Sequence, residues 1–180
     1  ASDVYKRQTI PKRLHTTMSN IADHHFTFPA IRGIQAGREY YVSMCPLGLV
    51  PKIFTFDEEE LGPELRAQRT LNKGRIPEIS RYISQNKDDY VFSAITASID
   101  GEVKFSTINE DPESLRNGLL KIDMSAKILI NDGQHRRAAI EMALKDAPDL
   151  ANETIAVVFF HDRGLERSQQ MFSDLNRLSL

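Results

Sequence analysis

One corner constrains this chain more than any other stretch: "ILINDGQHRRAAIEMAL", Ile128 to Leu144. An apolar run ends at Asn131-Asp132-Gly133, and a helix-like run begins at once with Gln134, His135, Arg136 and Arg137 in its first turn. A strand must therefore pass directly into a helix here. Such a helix leaves its first backbone N–H groups without intrahelical partners, at the positive end of its dipole. Those donors form a ready anion site.

The residue types fit that chemistry. Gly133 would let a ligand approach the backbone, and Arg136 and Arg137 would add bidentate contacts to phosphate oxygens. Gln134 and His135 would hydrogen-bond a phosphate, a base or a water. Asp132 would hold a magnesium ion or orient an attacking water, as in nucleotide hydrolysis. A plainer reading stays open beside this one: Asp132 as a helix N-cap, Gly133 as turn chemistry, and both arginines solvated. Placement favours the functional reading, because two arginines in a first turn oppose the helix dipole unless an anion offsets them.

The rest of the chain supplies the frame. "FTFPAIRGIQAGREYYVSMCP" reads as two strands, roughly Phe26–Ile34 and Glu39–Met44, joined by a tight turn. "LGLVPKIF" is short and apolar, and Pro51 limits any helix there. "RIPEISRYISQN" carries Ile76, Ile79, Tyr82 and Ile83 on one helical face. "YVFSAITASIDGEVKF" gives strand, Asp100-Gly101 turn and strand, a hairpin signal. "NEDPESLRNG" is a loop or short helix, "LLKIDM" and "TIAVVFFH" are strands, and Pro148 stops the helix after the corner. "RGLERSQQMFSDLNR" is a last amphipathic helix. Strands alternating with helices predict an α/β or α+β class.

Bulk properties bound the function. The chain has 180 residues, of which 41% are hydrophobic, enough for one core. No apolar run reaches the length of a membrane span, which predicts a protein that works without a membrane. One cysteine, Cys45, excludes an intramolecular disulfide framework and suits a reducing cytoplasm. A buried structural thiol is the expectation for it. The net charge of -2 gives nucleic acid no general attraction, so any contact must come from a local patch. "ELRAQRTLNKGR" offers one, with Arg66, Arg69, Lys73 and Arg75 close together, against the alternative of a solvated helix face. His24-His25 is an incidental pair rather than a metal site. His161-Asp162-Arg163, after the last strand, would line the same mouth as the corner.

Both ends read as foreign. "ASDVYKRQ" and the final "LSL" can be back-translated into sequences that resemble the two strands of one sequencing adapter. The expected organisation is adapter-derived or leader residues over 1–17, one domain over 18–177 starting at Met18, and adapter-derived residues over 178–180.

"DGQHR", Asp132 to Arg136, is the signature of the DGQHR-domain proteins, and the wider text resembles the DndB family associated with bacterial DNA phosphorothioation. The likeness runs through "FPAIRGIQAGREYYVSMCPL", "FTFDEEELGPELRAQRTLNKGRIPEISRYI", "YVFSAITASIDGEV", "INDGQHRRAAIEMAL" and "VVFFHDRGLERSQQMFSDLNR". Members of that family are longer, so the resemblance implies a domain incomplete at its C-terminus. The order of elements is also similar to the ParB N-terminal domain and to sulfiredoxin, which implies a mixed sheet with flanking helices. In ParB-like domains the corner arginines bind nucleotide phosphates, and Asn176-Arg177 would stand behind them. Sulfiredoxin's corner carries a cysteine where this chain has Gln134, which sets that chemistry aside.

The family resemblance implies a DNA-binding negative transcriptional regulator of a phosphorothioation gene cluster, with promoter DNA as partner. The alternative it implies is a Mg-dependent nucleoside triphosphatase, using Asp132 as catalytic and metal-binding residue and ATP or another nucleotide as ligand. A homo-oligomer is compatible with either.

Overall fold

The computed structural model describes residues 24–55, 74–109 and 111–162, together with Gln170. Alternation of apolar and polar residues makes the first two strands, β1 (His25–Gln35) and β2 (Arg38–Pro46), which pair antiparallel. Between them Ala36 and Gly37 both take positive φ, 50° and 74°, as a two-residue turn matched to strand twist requires. A four-residue helix, α1 (Val50–Ile53), follows with Pro51 in its first turn, where the missing N–H is not needed. Helix α2 (Arg75–Gln85) buries Ser80 and Ile83. Strands β3 (Ile95–Asp100), β4 (Val103–Thr107), β5 (Asn117–Asp123) and β6 (Lys127–Asp132) come next. Then β6 passes into α3 (Gln134–Asp146), and the last described strand is β7 (Thr154–His161). Short 3-10 turns occupy Pro112–Ser114 and Pro148–Asn152.

The seven strands form one mixed sheet in the order β4-β5-β1-β2-β7-β3-β6. The class is therefore α+β, with few helices beside a dominant sheet. All pairings are antiparallel except β3 with β7.

The predicted β3–β4 hairpin is corrected by this order. The two strands lie five positions apart: β3 pairs with β7 and β6, and β4 pairs with β5. Laid flat, they would be roughly 24 Å apart at the usual strand spacing. Yet only Gly101 and Glu102 join them, a reach of about 11 Å. Residues Met124 to Ala126 likewise join β5 to β6. The sheet must therefore curl until its two ends meet. At the meeting point Gly101 takes φ 152°, and a Cβ there would stand 2.4 Å from the Ala126 Cβ. Only glycine fits that corner.

Curling encloses one core. Phe28 and Ala30 of β1, Tyr41 and Cys45 of β2, Ile95, Ala97 and Ile99 of β3, and Val157 and Phe159 of β7 are all buried. Phe159 packs against Phe28 and Phe54, at ring-centroid distances of 5.7 and 6.0 Å. Ile83, Ala139, Ile140 and Ala143 bring α2 and α3 onto the same cluster. Among the described residues no helix is long and apolar enough to cross a membrane. The last predicted helix, "RGLERSQQMFSDLNR" with Asn176-Arg177, lies outside the described residues apart from Gln170.

Candidate functional site

Strand β6 ends at Asp132, and Gly133 turns the chain with φ 110° and ψ 16°. That backbone excludes an L side chain on strain alone. Space excludes it too: a Cβ would meet Ile95 Cγ1 at 3.0 Å and Arg136 Nη2 and Nε at 3.2 and 3.3 Å. The glycine is thus buried beneath Ile95 and the Arg136 guanidinium. Gly133 is the N-cap of α3, and having no side chain it supplies no cap bond to the first turn. Asp132 is accordingly not the N-cap that the plainer reading offered.

The two arginines point to different partners. Arg136 donates from Nη2 to the Asp132 carboxylate at 2.5 Å and to the Ala94 carbonyl at 3.1 Å. Its Nε is buried and bonds to no atom among the described residues. Arg137 turns toward α1: its Nη2 donates to Pro51 O at 2.9 Å, its Nε to Phe54 O at 3.2 Å, and its Nη1 to Glu141 at 2.7 Å. It ties the start of α3 to the end of α1.

Gln134 is buried at 8% exposure. His135 sits partly buried in a field of cations. Burial, then the charges of Arg75 and Arg136, hold its pKa below the ordinary histidine value, while Asp132 pulls the other way. This places the first residue of α2 within electrostatic reach of the first turn of α3. Arg75, His135 and Arg136 thus gather where two helices begin, and both helix dipoles add to the positive potential.

Of the predicted nucleic-acid residues, Arg75 joins this corner; Arg66, Arg69 and Lys73 lie outside the described residues. The His161-Asp162 expectation is corrected. Strand β3 runs parallel to β7 and antiparallel to β6, so His161 lies level with Ile99 while Asp132 lies level with Thr96, at the other end of β3. His161 Nε2 instead lies 3.0 Å from Gly101 O at the curled corner. Cys45 is fully buried, and burial pushes its thiol up to about 12. His25 approaches Asp123 at 3.8 Å, and no group of three His, Cys, Asp or Glu able to hold a metal occurs among the described residues.

For a magnesium ion the corner offers, among the described residues, one carboxylate, Asp132, and a guanidinium already lies on it. That donor set does not fit a resident metal, which needs several oxygen ligands around it. Sequence reasoning missed the backbone acceptors Pro51, Phe54 and Ala94, and the buried bond from Asn131 Nδ2 to Ser98 Oγ at 2.7 Å that fixes the end of β6 beside β3. No residue-type signal marks a carbonyl acceptor. A polar pair on adjacent strands is visible only once their pairing is known.

A family model described as DndB, DNA-sulfur modification-associated, matches residues 28–180. No match was found among the curated proteins or among the solved structures.

Proposed function

This chain belongs to the DndB family of DNA-sulfur modification-associated proteins, and on that premise we propose that it is a DNA-binding negative regulator of a phosphorothioation gene cluster. The corner formed by His135, Arg136 and Arg75, with Gly133 packed beneath the Arg136 guanidinium, is its receptor for phosphate oxygens. One observation carries this reading: the guanidiniums of Arg75 and Arg136 both act on His135, where their charges are, after burial, the next causes that disfavour its protonation. Two cations brought together at the start of one helix favour a negative ligand. The positive end of the α3 dipole points the same way. The triphosphatase alternative has less support, because the Asp132 carboxylate is engaged by Arg136.

The proposal is tested by fluorescence anisotropy with a duplex from the promoter region of the modification cluster and an unrelated duplex of equal length. Arg75→Gln and Arg136→Gln should each weaken binding by about five- to tenfold and flatten the log–log salt slope by about one. Folded variants that bind the duplex as wild type does would remove the corner from the DNA contact. Phosphate release from ATP above background, lost in Asp132→Ala, would revive the enzyme reading.

A further inference from the structure

The Asp132–Arg136 pair has a shape that a purely structural ion pair does not need. Asp132 grips the guanidinium through one nitrogen, Nη2, although a carboxylate and a guanidinium can pair through two parallel bonds. The adjacent Nε is buried and without a bond among the described residues. A buried donor left in that state is destabilising unless an acceptor arrives. The Nε–Nη2 edge lies over Gly133, at the start of α3. The Asp132 side chain is 50% exposed and that of Arg136 21% exposed, so solvent reaches the pair from the Asp132 side while Nε stays covered.

From this geometry we infer that Asp132 is a built-in counter-anion, which occupies Arg136 until phosphate oxygens displace it. The inference rests on the corner being a phosphate receptor and specifies how that receptor is restrained. An incoming phosphate takes the place of Asp132 on Nη2, and rotation of the freed guanidinium brings the buried Nε to a second phosphate oxygen. Asp132 then swings toward solvent, and its charge repels the ligand that replaced it. Affinity is held down by a competitor within the chain. This role for Asp132 is opposite in sign to that of a metal ligand or catalytic base, whose loss weakens the site.

The test uses the full chain as wild type, Asp132→Asn, Arg136→Gln and the double variant. The probes are inorganic triphosphate, followed by calorimetry, and a short DNA duplex, followed by anisotropy; these separate a nucleotide-type ligand from a DNA backbone. Thermal melting confirms that each variant is folded. Asp132→Asn should tighten binding of at least one probe by about three- to tenfold, as expected for removing a half-exposed competing charge. In the Arg136→Gln background the same change should gain less than about twofold, because the competition acts through Arg136. Unchanged or weaker binding in Asp132→Asn, with wild type still binding in an Arg136-dependent way, overturns this inference and leaves the receptor standing. Equal binding of either probe by wild type and Arg136→Gln overturns the receptor itself, and the inference with it.

Discussion

Replacing Arg137 with methionine separates two roles that its neighbour's contacts make easy to confuse. Methionine keeps the aliphatic stem and removes the guanidinium. The loss strips donors from Phe54 O and Pro51 O, at 3.2 and 2.9 Å, and from Glu141 at 2.7 Å. Phe54 is buried, so its carbonyl loses its donor with no water in reach, at about 1–3 kcal/mol. Pro51 is partly exposed and recovers some of its loss from solvent. The Glu141 pair is a half-exposed helix pair and contributes only about 0.3–0.5 kcal/mol. Together these give roughly 2–4 kcal/mol of destabilisation, or a fall of about 5–12 °C in melting temperature for a chain of this size. Urea unfolding and thermal melting measure the first quantity, and titration with inorganic triphosphate and duplex DNA measures affinity under native conditions. Arg137→Met should lose stability while keeping affinity within about twofold of wild type. Full stability with a tenfold loss of affinity would refute the reasoning, and would make Arg137 a ligand contact in spite of its three intramolecular bonds.

Other outcomes follow from the same coordinates. Gly133→Ala should cost about 2–4 kcal/mol in urea unfolding, combining strain at φ 110° with the tight approach to Ile95 and Arg136. His135 has a lowered pKa in the folded state, so the unfolded chain binds its proton first as pH falls. Its contribution to stability should therefore be complete above about pH 6.5 and decline on acidification below that, down to the folded pKa. Phosphate binding should raise the His135 pKa, visible as an upfield-to-downfield shift of its ring protons in an NMR titration at fixed pH near 6. The Cys45 thiol, pushed up to about 12 by burial, should resist a disulfide reagent at pH 8 until denaturant is added.

The parts of the fold written in adjacent residues were legible. The β1–β2 turn, the amphipathic face of α2 and the strand-to-helix corner at Gly133 each depend on neighbours in sequence, where periodicity and turn chemistry act. Asp100-Gly101 shows where that logic stops. The dipeptide does reverse the chain, but which strands then pair is decided by β7, contributed by residues more than fifty positions later. The candidate site divides in the same way. Gly133 and the Arg136 charge beside His135 follow from residue type and local geometry, whereas Arg75 is brought there by the packing of α2 against α3. The division between Arg136 and Arg137 does not, because two neighbouring guanidiniums look alike until α1 places the carbonyls of Pro51 and Phe54 beside one of them. The opposite placement of His161 likewise turns on strand direction, which a single strand's composition does not encode.

Strand β7 has a bearing on how the molecule is made. It lies between β2 and β3, alone among the described strands in bridging those two sections of the sheet, and it is the last described strand to leave the ribosome. Until it emerges, the facing edges of β2 and β3 carry open backbone donors and acceptors on a nascent chain. Pairing of these edges should therefore be non-local and slow, and chaperone dependence should be greater before residue 161 is translated than after it.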